Sequence, residues 1–393
     1  MTIFSLDFDG ILTDHTALDL EVLDHKTFFL APASATYAPC RPGVRQLAAF
    51  LSCFGAVHIL SARPAHHHGQ MREWLLENAP ELAQAPLRSA GTATKAEVAA
   101  AEGIALHIDD DPAASERGGL LDETVLIWKN ETLVVMLHRL VRVLTSQKAG
   151  QVQILGEDVV SMEIIPVTSA TPVILVTTDV ATYKIRLFDT VRRHAVVEQL
   201  HGLLEGTEAG ELLPRRFPAP PLCMITTFTR GRMLKDAPEL LTTQILSRLA
   251  EFLAAVHSHT ASSRGECMVT CAVDLFNVCI DDAGKPRIID IGDCTHGQPW
   301  VDVVWSEQLL CFSAEQRTWF AREYVRAAGH APTEAGIRQS LASFYGHLHS
   351  TLMNSKRIHQ GDAERRAAIQ SIVVNRRVPP TTSALFDLVM EAP

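Results

Sequence analysis

The sequence is short of several things, and each shortage closes off a class of protein. Basic charge is in deficit: 35 Lys and Arg stand against 45 Asp and Glu, a formal net charge of −10. Binding nucleic acid or an anionic membrane surface needs a concentrated positive field. The pairs Arg192-Arg193 and Arg215-Arg216 are too short to supply one, so neither partner is expected. No run of about 18 apolar residues occurs, so no membrane span is expected. The first residues, MTIFSLDFDG, lack the basic region and apolar core of a secretory leader. The eight cysteines, at 40, 53, 223, 267, 271, 279, 294 and 311, form no CxxC pair. In a chain of this length they read as reduced, mostly buried thiols, and the expected location is cytoplasmic. A zinc site on Cys267 and Cys271 is the alternative reading of that pair. No repeat of fixed period and no long low-complexity segment is visible.

What is present is a chain of 393 residues, 47% hydrophobic and 20% charged. That is enough for two or three globular domains. Up to about residue 145, short apolar strands alternate with amphipathic helices. IFSLDF, AVHILSA and ALHIDD read as strands; VRQLAAFLSCF, GQMREWLLENA and TLVVMLHRLVRVLT read as helices. This alternation predicts a parallel sheet whose ligands gather at the carboxyl ends of its strands. SQKAG, at residues 146–150, is a polar, glycine-ended linker. Beyond it the texture changes. VVSMEIIPV, TPVILVTTD and ATYKIRLFD follow one another as strands rich in β-branched residues. A helix (VRRHAVVEQLHGLLEG), a proline-rich stretch and the strand LCMITTF come next. The remainder is mainly helical, interrupted by short strands at NVCIDD and RIIDI.

Three predicted strand ends in the first region carry polar groups: Asp7 and Asp9, then Ser61, then Asp109-Asp110-Asp111, with Lys95 between the last two. This is the set that phosphoryl transfer through an aspartyl-phosphate requires. One carboxylate attacks phosphorus, others hold Mg²⁺ against the phosphate charge, and a hydroxyl and an ammonium hold the remaining oxygens. Each residue alone has a plainer reading, Ser61 as a helix cap and Lys95 as a surface lysine. His66-His67-His68 reads as a solvated turn before a helix.

In LDFDGILTD, HILSARP, Lys95 and HIDDDP, taken in order, the chain resembles the haloacid dehalogenase-like (HAD) phosphatases over residues 1–147. The resemblance implies a Rossmann-like fold with Asp7 as nucleophile and Asp9 as acid/base. It further implies phosphate binding by Ser61 and Lys95, and Mg²⁺ held by Asp7, Asp109, Asp110 and the carbonyl of Asp9. The segment Thr13 to Pro39 is too short for a large cap domain, so a small cap or none is implied.

The second region, 151–393, resembles over about residues 155–375 the aminoglycoside phosphotransferase/choline kinase family, in ATYKIRLFD, LAEFLAAVHSH, DLFNVCIDDAGKPRIIDIGD and GQPWVDVVW. The resemblance implies a two-lobed, protein-kinase-like α+β domain, its N-lobe about 155–230 and its C-lobe about 231–393. ATP or another nucleotide would meet Lys184, oriented by Glu198, with Mg²⁺ on Asn277 and Asp290. Two features depart from the family. Where members place a catalytic aspartate, this chain has Ala272, in the triplet Thr270-Cys271-Ala272, and the phosphate-covering turn PVTSATPV has no glycine.

The leading expectation is a Mg²⁺-dependent phosphatase acting on a small phosphorylated metabolite, with the kinase-like region serving recognition or nucleotide-dependent regulation. A bifunctional enzyme that also phosphorylates a small hydroxyl is the alternative. A non-enzymatic nucleotide-sensing scaffold is the third reading.

Overall fold

The computed structural model describes residues 2–14, 38–91, 93–111, 125–129, 131–146, 152–165, 171–263, 265–291, 294–353 and 383–385. Most of the segment read as too short for a cap, most of the linker, and the first five residues of the turn PVTSATPV lie outside them. The chain divides into two compact units. One comprises residues 1–165, 171–189 and 217–225; the other comprises 166–170, 190–216 and 226–393.

The first unit contains the parallel sheet that the alternation predicts. Its strands are β1 (Thr2–Asp7), β2 (Gly55–Ser61), β3 (Leu87–Ser89), β4 (Ile104–Asp109) and β5 (Val125–Ile127), ordered β3-β2-β1-β4-β5. Every neighbouring pair is parallel. β1 is central, and its side chains Phe4 and Leu6 are fully buried, as are Ile59 and Leu60 on β2 and Ile108 on β4. Strands covered on both faces read as continuous apolar runs, and burying each such side chain contributes roughly 1.5–3 kcal/mol. Between them run α1 (Val44–Ser52), α2 (His68–Asn78) and α3 (Lys95–Ala101), and α4 (Leu133–Thr145) follows β5. Trp74 of α2 is fully buried, packs edge-on to Phe8 with centroids 5.3 Å apart, and donates its indole N–H to the Ala38 carbonyl. The histidine run is more enclosed than the sequence predicts. His67 lies in a 3₁₀ turn and is buried, and His68 reaches Ser89 Oγ at 2.8 Å.

Strands β3 and β5, three residues each, carry no alternation long enough to be read from sequence. They are created by their partners: Leu87 aligns with Ile59, and Leu126 with Ile108.

The strand-rich stretch forms a six-stranded sheet ordered β10-β11-β9-β8-β7-β6. It is built from β6 (Gln153–Ile154), β7 (Glu157–Ile165), β8 (Val173–Thr178), β9 (Thr182–Leu187), β10 (Arg216–Phe217) and β11 (Cys223–Thr227). The pairings of β6 through β9 are antiparallel. Within the first unit α4 packs on β7, and α1 packs on β2 and β9.

The second unit is mostly helical: α5 (Val191–Leu204), α6 (Thr243–Thr260), α7 (Trp300–Leu309), α8 (Ala314–Ala328) and α9 (Glu334–Met353). Helices α6 and α8 make its most extensive pairing. Short strands β12 (Gly231–Met233), β14 (Val278–Asp281) and β15 (Pro286–Ile288) form one sheet; β13 (Cys267–Val269) and β16 (Thr295–Gly297) form another.

Candidate active site

In a strand, residues i and i+2 share a face. Ser5 and Asp7 therefore share one face of β1, and His107 and Asp109 share one face of β4. The strands are neighbours in register, with Ser5 beside His107. At the carboxyl end of these strands Asp7 and Asp109 are buried, and both accept from one ammonium. Lys95 Nζ lies 2.8 Å from Asp7 Oδ2 and 2.9 Å from Asp109 Oδ2.

The position of Lys95 is set by a capping box. Thr94 Oγ1 accepts from the Glu97 N–H at 3.2 Å, and the Glu97 carboxylate accepts from the Thr94 N–H at 2.7 Å. This fixes the start of α3 at Lys95. A cation in the first turn of a helix opposes the helix dipole; the two aspartates offset that cost.

Asp109 is the hub. Its Oδ2 is 2.9 Å from His107 Nε2, and its Oδ1 accepts from the Asp111 N–H at 2.9 Å. The other ring nitrogen, His107 Nδ1, is 2.8 Å from Ser5 Oγ. Burial raises the Asp109 carboxyl, but the hydrogen bond from His107 and the charge of Lys95 outweigh it and hold the group ionised. Burial pushes His107 below its usual value, against the pull of Asp109, which favours the neutral ring. A neutral imidazole donates from one nitrogen only. With an ionised Asp109 on Nε2, the ring carries its proton there and accepts from the Ser5 hydroxyl at Nδ1.

Asp7 moves the other way. Burial pushes its carboxyl well above the usual range, against the pull of Lys95, and the charges of Asp109 and Asp9 add to the rise. Asp110 is also raised, by burial and then by Asp109. Too little positive charge serves too many acids here. Asp7 Oδ1 is buried and has no hydrogen-bond partner among the described residues. Carboxylate oxygens of Asp7, Asp109 and Asp110 all lie within 4.8 Å of one another. An orphaned buried oxygen, an excess of carboxylates and an all-oxygen donor set fit a hard divalent cation such as Mg²⁺.

The loop after β1 is shaped for close approach. Gly10 has φ +82°, and a Cβ there would fall 2.2 Å from Asp110 Oδ2. Only glycine allows both the backbone conformation and the packing. Arg41 donates to the Gly10 carbonyl at 2.6 Å and to the Trp128 carbonyl at 2.9 Å. Asp9 is gripped by Arg63, whose Nε and Nη2 lie 2.7–3.0 Å from its two oxygens. Ser61 ends β2 fully buried, its Oγ accepting from the Arg63 N–H at 3.0 Å. The sequence alone does not single out Arg63, His107, Ser5 or Arg41. The polar residue two places before each strand-end aspartate, SLD and HID, is the signal that points to two of them.

The residues singled out in the second region are placed differently. Lys184 is half-buried on β9, in the first unit; Glu198, Asn277 and Asp290 belong to the second. Glu198 is ion-paired with Arg216 and lies 3.8 Å from His194. Asn277 directly precedes β14 and Asp290 follows β15. These strands pair antiparallel, with the Ile289 N–H on the Asn277 carbonyl at 2.8 Å, so both residues lie at one end of the hairpin. The preceding loop is held by buried Asp302, which accepts from the Thr270 and Cys271 N–H groups at 2.8 and 2.5 Å and contacts His257 Nε2 at 3.0 Å. Cys271 has φ +45°, a conformation that favours glycine. Ala272 is buried and offers no proton acceptor. Asp274 is committed: Oδ1 accepts from the Phe276 and Asn277 N–H groups, and Oδ2 from Asn277 Nδ2 and Trp305 Nε1.

No family model and no curated protein matches the chain. Among solved structures it is similar to macrolide 2'-phosphotransferase MphH from Brachybacterium faecium (12% identity, 59% of this chain and 97% of that one, TM-score 0.42). It is also similar to spectinomycin phosphotransferase APH(9)-Ia in complex with ADP and spectinomycin (9% identity, 63% and 96%, TM-score 0.42). A third is Plasmodium vivax ethanolamine kinase (12% identity, 64% and 90%, TM-score 0.37). Among the described residues, no helix is long and apolar enough to cross a membrane.

Proposed function

We propose that the parallel-sheet region is a Mg²⁺-dependent phosphomonoester hydrolase acting through an aspartyl-phosphate on Asp7, with a small phosphorylated metabolite as substrate. The observation that carries this reading is the free valence of Asp7. One of its oxygens meets Lys95, and the other is buried without a hydrogen-bond partner among the described residues. A structural carboxylate at a strand end is saturated by donors; this one is not.

In this reading Asp7 attacks phosphorus and the ester oxygen leaves with a proton from Asp9. Water, deprotonated by Asp9, then attacks the phosphoryl group and frees Asp7. Lys95 and the Ser61 hydroxyl hold phosphoryl oxygens, while Arg63 fixes where Asp9 points. Asp7, Asp109 and Asp110 would hold Mg²⁺, which when bound would offset the negative charge that raises the nucleophile's carboxyl and repels phosphate. The test is hydrolysis of p-nitrophenyl phosphate with and without Mg²⁺. An unchanged rate in Asp7→Asn overturns the assignment.

A second reading gives the other region a kinase activity or nucleotide binding. The shared placement of Asn277 and Asp290 at one hairpin end favours it, since Mg²⁺–nucleotide would use both. Substrate-dependent ATP consumption that Asp290→Ala abolishes supports the activity. A melting temperature indifferent to ATP and Mg²⁺ removes nucleotide binding as well.

A further inference from the structure

Two cysteines that serve neither reading meet in the first compact unit. Cys53 caps the C-terminal end of α1, and Cys223 opens β11. They are 170 positions apart in sequence, yet their Sγ atoms are 3.2 Å apart. Cys53 is half-buried, its Sγ also facing the Ala49 carbonyl at 3.4 Å, and Cys223 is fully buried, so Cys53 is the more exposed residue of the two. One thiol is placed to react with solvent species, and the other is in contact behind it.

We propose that Cys53 and Cys223 form a redox-active dithiol, closed to a disulfide by a small-molecule disulfide of the oxidised-glutathione class. The Cys53 thiolate attacks one sulfur of the small disulfide. The S–S bond breaks, one small thiolate leaves, and a mixed disulfide forms on Cys53. Cys223 gives up its proton, attacks Cys53 Sγ, and expels the second small thiolate. The protein thiols lose two electrons and two protons, and the oxidant gains both as it becomes two small thiols. The bond ties α1, which follows the first strand of the parallel sheet, to β11 of the antiparallel sheet. It closes a long loop, the case in which a cross-link most restricts the unfolded chain.

The test uses the folded full-length protein incubated with oxidised glutathione, blocked with iodoacetamide, digested without reductant and read by mass spectrometry. A peptide joining Cys53 to Cys223, lost on adding dithiothreitol, is expected, with a melting temperature several degrees above the reduced form. In Cys223→Ser the glutathione adduct should persist on Cys53. Three results overturn the proposal: Cys53 unmodified in the folded wild type, its adduct persisting there as in Cys223→Ser, or a link joining other cysteines instead. The wild-type arm needs no variant to fold. No phosphate chemistry enters, so this outcome and that of the hydrolase test are independent.

Discussion

Asp7, at the end of β1 in the parallel-sheet region, and Asp274, in the loop before β14 in the helical region, are both buried acids, yet their surroundings differ in kind. Asp274 is surrounded by neutral donors from two backbone N–H groups, an amide and an indole. Asp302 is likewise occupied, bracing the loop at Thr270 and Cys271. Asp7 has one cation on one oxygen and, among the described residues, no hydrogen-bond partner on the other. A saturated carboxylate stabilises the fold it sits in; an unsaturated one costs stability until something binds. The difference lies in unfilled hydrogen-bonding capacity, because acids are abundant in both, and the proposed hydrolase rests on it.

The largest expected effect tests that contrast directly. Asp7→Asn should lower Mg²⁺-dependent hydrolysis by about 10⁴-fold or more, as loss of a covalent nucleophile does. Because it removes a carboxyl that burial disfavours in its charged form, the variant should melt no lower than wild type. Asp274→Asn should do the reverse, leaving hydrolysis within about twofold and lowering the melting temperature. If Asp7→Asn unfolds the protein and Asp274→Asn abolishes hydrolysis, the comparison is inverted.

Next comes a buried acid of the second unit. Burial pushes Glu307 up to about 8, although Ser383 donates to it and the charge of Arg317 opposes the rise. An acid raised by folding is neutral in the folded state while the unfolded chain ionises near the ordinary value of 4.5. Its stabilising contribution is therefore fully present below that value. It is lost as pH rises to about 8, a fall of up to roughly 5 kcal/mol. Glu307→Gln should flatten denaturant-measured stability across this window. A slope equal to wild type would mean that Glu307 is ionised in the folded protein.

Much of the first region was legible from sequence because its signals are local. β1, β2 and β4 are apolar runs ending in polar residues. What was not legible depends on which strands become neighbours. Arg63 is an ordinary arginine until β2 lies beside β1, and His107 is an ordinary strand histidine until Ser5 stands next to it. In the second region, the Asn277–Asp290 hairpin follows from NVCIDD and RIIDI. The commitment of Asp274 to Trp305, 31 residues away, has no local sign.

A third test restores what the second region lacks. If its loop keeps the geometry of a phosphotransferase, Ala272→Asp should raise substrate-dependent ATP consumption, since a general base contributes about 10²–10⁴-fold. Ala272 is buried, so the introduced carboxylate meets a desolvation cost and the gain should be at the low end, about 10²-fold. No gain in a variant that still shows an ATP-dependent shift in melting temperature would mean that this position no longer faces an acceptor hydroxyl.

The smallest effect concerns the hydrogen-bonded chain that holds Lys95 in place: Ser5 Oγ, His107, Asp109 Oδ2, then Nζ. Ser5→Ala removes the donor to His107 Nδ1 and leaves that nitrogen buried. The imidazole can then move its proton to Nδ1, and in that tautomer it no longer donates to Asp109. One neutral hydrogen bond is worth about 1 kcal/mol, so kcat should fall about fivefold. The loss should appear in kcat and leave KM for p-nitrophenyl phosphate unchanged, because the chain orients groups already in place before substrate arrives. The imidazole ¹⁵N shifts of His107 decide whether the cause is the tautomer. In wild type Nε2 should carry the proton, and in Ser5→Ala a share of it should move to Nδ1. A fivefold loss with the wild-type tautomer intact would place the role of Ser5 in strand packing, and the relay to Lys95 would then have to begin at His107.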